Sequence, residues 1–414
     1  NCFFPISYRF AMMALEQEEG QRIPYEELSF SVIPKCFGLM DMEALQEMEI
    51  LPVRRSALDL TGSGVLVGII DTGIDYQNPV FRYEDGSSKI VSIWDQEEQS
   101  GVPPQDFYYG SEYTKEKIEE ALQDQDPERI VPSRDRNGHG TFLAGTAAGR
   151  ERVEEGFSGA APDAELVVVK LKEAKRNLRD FYFIKESAPA YSEIDIMMGI
   201  NYLLETAKKE RKPMVICIGL GTNQGSHTGS IYLSDYVNWI ALRKDFAIVI
   251  AAGNEGNANH HYYGKIADTR ETVELKVGKG ERGFVMEMWG KAPHRFQIQI
   301  ESPSGQITEW INAGIRESRS YAFLMERTQL YVEYLVVDPY SGDQGVLFRF
   351  ASPAEGIWKI VVAEPDPGTK EFDMWLPIRG FIGENTYFLQ ANPFMTITAP
   401  GNAGNPLTVS AYRG

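Results

Sequence analysis

Three polar residues stand in this sequence where reactive groups are commonly held. Asp71 closes the apolar run VLVGIID, His139 lies between two glycines in RNGHGTFLAGTAAG, and Asn254 ends AIVIAAGN in the turn GNEG. A carboxylate at a strand end can orient a neighbouring base. An imidazole that is neutral before it acts can take a proton. An amide NH2 can donate to an oxyanion as it develops. Each residue also has a structural reading: a turn-closing Asp, a helix-capping His, and a turn Asn in left-handed conformation. Asp71-Thr72-Gly73 is also the signature of an aspartic protease, which needs two carboxylates sharing a proton. No second DTG or DSG occurs, which argues against a monomeric aspartic protease.

The elements that must position these groups are legible in the apolar runs. VLVGIID, LVVVKL, PMVICIGL and FAIVIAAG are near-continuous apolar stretches, and DIMMGINYLLETAKKE and DYVNWIALRK have helical spacing. Such alternation predicts a parallel sheet covered by helices on both faces, with functional groups at the carboxyl ends of its strands. Ala144, Gly145, Ala147, Ala148 and Gly149 give the helix behind His139 an almost bare surface. The imidazole leads that helix, so its positive end disfavours the imidazolium. From about residue 259 to 395 the texture changes. TVELKV and RFQIQIES alternate at period two, and VLFRF, IWKIVVAE and YLVVD follow between turn signals such as SPSG and PDPG. This predicts an antiparallel β-sandwich or jelly roll. ITAPGNAGNPLTVSAY then returns to the earlier style, so the β module reads as an insertion.

Bulk properties narrow the classes of function. The 414 residues carry a net charge of −18, which argues against nucleic acid or an anionic membrane as main partner. No apolar run reaches the roughly 18 residues of a membrane span. NCFFPISYRF lacks the pattern of a signal peptide, and Asn1 in place of Met reads as a start other than the native one. Cys2, Cys36 and Cys217 are too scattered for a disulfide framework or a zinc site, which suits a reduced, intracellular setting. GLGTNQG follows a strand as a phosphate loop would, but its spacing does not fit the dinucleotide pattern. No cofactor is expected, and no carboxylate spacing points to calcium or another metal.

Taken together and in this order, IIDTGID, NGHGTFLAGTAAG and AAGNEG resemble the subtilisin-like serine proteases. The resemblance implies that Asp71 orients His139, that His139 is the general base, and that Asn254 serves the oxyanion hole. It implies that Gly219, Leu220 and Gly221 bind an extended peptide by backbone hydrogen bonds, with a protein or peptide as substrate. It also implies an organisation: a propeptide-like α+β unit over 1–55, with one helical stretch DMEALQEM, and a catalytic domain over 56–258. The inserted sandwich occupies 259–395, and 396–414 returns to the catalytic domain. The family's propeptides help folding and can occupy the cleft, which makes the chain's own propeptide a partner. The insertion after AAGNEGN, together with SVIPKCFGLMD, is most similar to the Csp proteases of spore-forming clostridia. That subgroup activates a cortex-degrading hydrolase during germination, which implies limited proteolysis in a bacterial cytoplasmic or spore-associated setting.

The family's nucleophile sits in a Gly-Thr-Ser turn. Every Gly-Thr pair here is followed by another residue: Phe142, Ala147, Asn223 or Lys370. Ser410, in LTVSAY, matches the strand that precedes the nucleophile segment. Two readings follow. The chain is a piece of an active serine endopeptidase, itself inactive, or it is a non-catalytic pseudoprotease that serves as sensor or regulator. Among weaker features, the adjacent His260 and His261 read as structural. Trp289, Trp310, Trp358 and Trp375 read as sandwich core rather than a sugar-binding face, and DQEEQ (95–99) reads as a solvated loop.

Overall fold

The computed structural model describes residues 2–7, 9–14, 32–39, 60–152, 154, 157–314, 318–364 and 370–410. The helix expected over DMEALQEM lies outside them. Near the N-terminus, β1 (Cys2–Pro5) and β2 (Ala11–Ala14) form a hairpin, and β3 (Cys36–Leu39) stands apart from it.

The α/β part runs through β4 (Leu66–Asp71), β5 (Ile90–Asp95), β6 (Ser111–Thr114), β7 (Glu165–Lys170), β8 (Tyr191–Ser192), β9 (Met214–Ile218), β10 (Leu220–Gly221) and β11 (Phe246–Ala251). The inserted part holds β12 (His261–Ile266), β13 (Arg270–Val277), β14 (Gly283–Gly290), β15 (Gln297–Glu301), β16 (Ser318–Phe323), β17 (Thr328–Leu335), β18 (Gln344–Ala351), β19 (Gly356–Ala363), β20 (Lys370–Trp375) and β21 (Tyr387–Phe388). The chain then returns with β22 (Leu407–Val409).

The main sheet has the order β22-β11-β9-β4-β7-β5-β6, parallel except for the β5–β6 edge pair. All six residues of β4 are buried, as an apolar strand covered on both faces requires. Helices Glu193–Glu210 and Tyr232–Ala241 match the two helical runs of the sequence. Strands β5, β6 and β8 of this part, and β12, β14, β16, β20 and β21 of the insertion, go beyond those that the runs identify.

The insertion folds as two antiparallel sheets, ordered β12-β20-β14-β18-β17-β16 and β15-β19-β13-β21, around a shared apolar core. Trp358, Trp289 and Trp375 are buried, whereas Trp310 is 37% exposed. Its seam with the α/β part is a distinct apolar cluster. Phe181 and Tyr182 meet Val285, Leu347 and Ile378 there, and Ile33 and Cys36 of the N-terminal segment join them. Arg282 pairs with Asp180 at 2.8 Å, and Arg349 Nε donates to the Phe181 carbonyl at 3.0 Å across the same seam.

DQEEQ departs from the expected solvated loop. Asp95 and Gln96 are buried, and Asp95 pairs with Lys170 at 3.1 Å. Lys89 is also fully buried. Its ammonium donates to the carbonyls of Ala148 and Pro162, so it caps the carboxyl end of the helix that begins at His139. Burial pushes its pKa down to about 8. The unfolded chain therefore binds the extra proton between that value and the ordinary lysine range, and stability rises with pH across that window. Chemical denaturation at pH 7 and pH 10 checks this: the wild type gains stability relative to Lys89→Met as the pH is raised.

Candidate active site

Asp71 is the last residue of β4 and is completely buried. Its Oδ1 accepts the Thr72 N–H at 2.7 Å and lies 2.8 Å from His139 Nδ1. A carboxylate only accepts, so Nδ1 carries the proton and Nε2 is left as a lone-pair acceptor. Oδ2 is buried and meets no donor among the described residues. That leaves an uncompensated negative edge beside the ring, which favours positive charge when the imidazole gains a proton.

His139 is the first residue of helix His139–Ala148, and its side chain is 14% exposed. The helix has no side-chain cap at Gly138, which sits at φ 88°. Its first amides are met from elsewhere. The His139 N–H reaches Asn137 Oδ1 at 3.3 Å, Gly140 N–H donates to Thr72 Oγ1 at 2.9 Å, and Thr141 N–H donates to Asp135 Oδ2 at 2.8 Å. The small-residue surface lets this helix press on the strand ends. A Cβ at Gly140 would fall 2.2 Å from the Gly73 carbonyl oxygen. One at Gly219 would lie 3.1 Å from His139 Cε1 and 3.2 Å from Asp71 Oδ2.

Asp135 is the residue that sequence reasoning missed. It accepts from the amides of Asn137, Gly138 and Thr141 and from the hydroxyls of Thr72 and Thr141. It therefore ties the end of β4 to the start of the histidine helix. The signal was present as an acid four residues before the histidine in DRNGHG, the spacing of an Asx turn leading into a helix.

The other expected residues gather on the same sheet edge. Asn254 follows β11, two strands from β4, and is exposed. Its loop is held by the returning segment, because Thr398 N–H and Oγ1 both donate to the Ala252 carbonyl. Gly219 lies against His139, as above. Leu220 and Gly221 form β10, which pairs antiparallel with β3 in the register Leu220↔Leu39 and Gly221↔Gly38. The other edge of β3 pairs with β8, through Phe37↔Tyr191 and Cys36↔Ser192. Of the three residues 219–221, Leu220 and Gly221 pair with this strand of the chain's own N-terminal segment. His260 and His261 are buried, bound to Glu255 Oε2 at 3.0 Å and to Asp373 Oδ1 at 2.8 Å. Among the described residues no group of three or more His, Cys, Asp or Glu is assembled to hold a metal ion.

A model of the subtilase family matches residues 62–275. This chain belongs to the subtilase family. As a subtilase it resembles the structure of the Clostridium perfringens CspB protease, with a TM-score of 0.76 and 30% identity over 88% of this chain and 72% of that one. It is 24% identical over 266 residues to subtilisin of Bacillus sp. (strain TA39), covering 61% of this chain and 52% of that protein. It is 26% identical over 203 residues to the major intracellular serine protease of Bacillus subtilis (strain 168), covering 49% and 47%. The chain spans about half the length of the curated relatives it matches.

Asp135 offers a direct test of this subtilase's histidine seat. Burial pushes its carboxyl up, but the donors of Thr141, Gly138 and Thr72 outweigh that and hold it below the ordinary range. With the folded pKa below the unfolded one, its contribution is complete above about pH 4 and is lost as pH falls through the folded value. Asp135→Ala should cost about 1–2 kcal/mol of stability, as the loss of a helix cap does. Urea unfolding from pH 6 to pH 2 checks this, with the gap to wild type closing only at the acid end.

Proposed function

We propose that this chain carries the base, the orienting carboxylate and the oxyanion donor of a serine endopeptidase. Its N-terminal segment serves as a propeptide that stands in for substrate. In this reading Asp71 holds His139 in the Nδ1–H tautomer, and Nε2 takes the proton of a serine as the serine attacks the peptide carbonyl. The carboxylate then steadies the imidazolium, which returns its proton to the leaving amine. Asn254 donates its amide to the oxyanion of the tetrahedral intermediate.

One observation carries the reading. Strand β3 lies between β8 and β10, hydrogen-bonded on both edges, with Gly219 of the adjoining turn against His139. Because β3 and β10 are antiparallel, β3 runs toward the imidazole, and the bond to be cut lies on the C-terminal side of Leu39. Phe37 is completely buried in the apolar cluster that includes Tyr191, Leu220 and Ile231, which supports an apolar preference at that position. The domain limits in this reading are an N-terminal unit to about residue 55 that contains the cleavage point after Leu39, a catalytic domain to 258, an inserted sandwich to 395, then the return. The likeness to CspB over most of the chain supports the finer expectation, limited proteolysis of a protein during spore germination. The relatives named as intracellular proteases support an intracellular setting.

The test uses the full-length gene product. A fluorophosphonate probe labels the wild type, and His139→Ala lowers the labelling rate by about 10⁴-fold. Protein that has processed itself shows a new N-terminus within a few residues after Leu39. A reading frame without a Gly-Thr-Ser beyond Gly414, or a wild type that does not label, leaves the sensor reading instead.

A further inference from the structure

Besides the apolar seam at Ile33 and Cys36, the inserted sandwich reaches the docked segment at a polar point, the side chain of Lys35. Lys35 precedes β3 and is only 6% exposed. Its backbone is fixed. Its N–H donates to Glu193 Oε2 at 3.4 Å, its carbonyl accepts from the Glu193 N–H at 2.9 Å, and the next amide, of Cys36, donates to Gln224 Oε1 at 3.0 Å. Its side chain enters a small cavity between the two parts of the molecule. Tyr232 of the α/β part lines that cavity together with Trp289, Asp338 and Tyr340 of the sandwich. The ammonium lies 5.5 Å from the centre of the Tyr232 ring, within cation–π range.

Glu287 of β14 is the counter-charge. It is 3% exposed. Its Oε2 accepts from the Gly225 N–H at 2.8 Å and from the Trp289 indole at 2.9 Å, and Oε1 meets no hydrogen-bond donor among the described residues. Gly225 joins the two groups, because a Cβ there would lie 3.3 Å from Lys35 Cε. Burial pushes the Glu287 carboxyl up, and the Lys35 ammonium is the strongest of the influences that pull it back. A buried carboxylate with a bare oxygen is costly in a sandwich core. Beside the path of a docked peptide it becomes a receptor for a cation.

We propose that the inserted sandwich completes the substrate cleft with an acidic subsite, built on Glu287 and Asp338. This subsite selects peptides with lysine three residues before the one that pairs with Gly221. The proposal rests on the reading of the cleft given above. Lys35 fills the subsite in cis, and a protein substrate would present its own lysine there once the segment leaves. The sandwich is thereby a determinant of specificity as well as a brace.

The experiment measures kcat and KM of the full-length protease on the peptide IPKCFGLMDMEA (residues 33–44), with Lys, Ala or Glu at the Lys35 position. The Lys peptide should exceed the Ala peptide about tenfold in kcat/KM, the scale of a charge-assisted contact, with the Glu peptide lower still and the change carried by KM. Glu287→Gln should collapse the Lys-to-Ala ratio to about threefold or less. Equal kcat/KM for the three peptides with the wild type overturns the acidic subsite and leaves the protease reading standing. If no peptide is cut, the protease reading falls and the subsite with it. Should Glu287→Gln fail to fold, the wild-type series alone decides.

Discussion

The 2.8 Å contact between Asp71 Oδ1 and His139 Nδ1 is the constraint around which the α/β part is arranged. A carboxylate buried to this degree is tolerated only where its charge meets donors or a group that becomes positive. Here one oxygen is shared between the Thr72 amide and the imidazole, and the other faces the ring edge with no donor among the described residues. The strand that carries Asp71 lies in the middle of the parallel sheet, with β9 and β7 on its flanks, so the carboxylate cannot drift. The histidine comes from a separate element, and bringing it to the strand end requires a helix without bulk. That requirement explains why Gly140 abuts the Gly73 carbonyl and why Gly219 has no side chain.

A second network makes this arrangement rigid. Asp135 gathers five donors from the loop, the helix and the strand end. Lys89 holds the far end of the same helix from beneath. The histidine helix is thus pinned at both termini, by the half-buried Asp135 carboxylate accepting from amides and hydroxyls at its start and by the buried Lys89 ammonium donating to carbonyls at its end. Around the cleft, the returning segment secures the Asn254 loop through Thr398. It also pairs with the residue that follows β10 through Thr222 and Ala399, whose amides and carbonyls exchange hydrogen bonds at 2.9 Å. The sandwich is inserted between these two stretches, so its own fold governs how they meet.

Much of this was legible in the sequence, for identifiable reasons. Strands such as VLVGIID announce themselves because burial on both faces leaves no polar positions, and the small-residue run after His139 reveals a close-packed helix. The sandwich was visible as period-two alternation, which its observed burial pattern in β13 repeats. What escaped depends on non-local pairing. Strand β3 is four residues long, and its partners lie more than 150 residues away in the chain, so no periodicity marks it. Glu287 looks like an outward-facing polar residue in GFVMEMWG until the α/β part closes over it. Asp95 reads as part of an acidic surface loop until Lys170 is found beside it. Asp135 lies immediately before the motif singled out, and a carboxylate that serves amides looks the same in sequence as one that serves water.

The orientation of His139 by Asp71 is tested most directly by the tautomer of its ring, read by ¹⁵N NMR in protein labelled at histidine. A free neutral imidazole favours the Nε2–H form, and a buried carboxylate on Nδ1 reverses that preference. The account predicts that neutral His139 is held as the Nδ1–H tautomer and reverts to Nε2–H in Asp71→Ala. A wild-type His139 already in the Nε2–H form, or one whose tautomer is indifferent to Asp71, would contradict it.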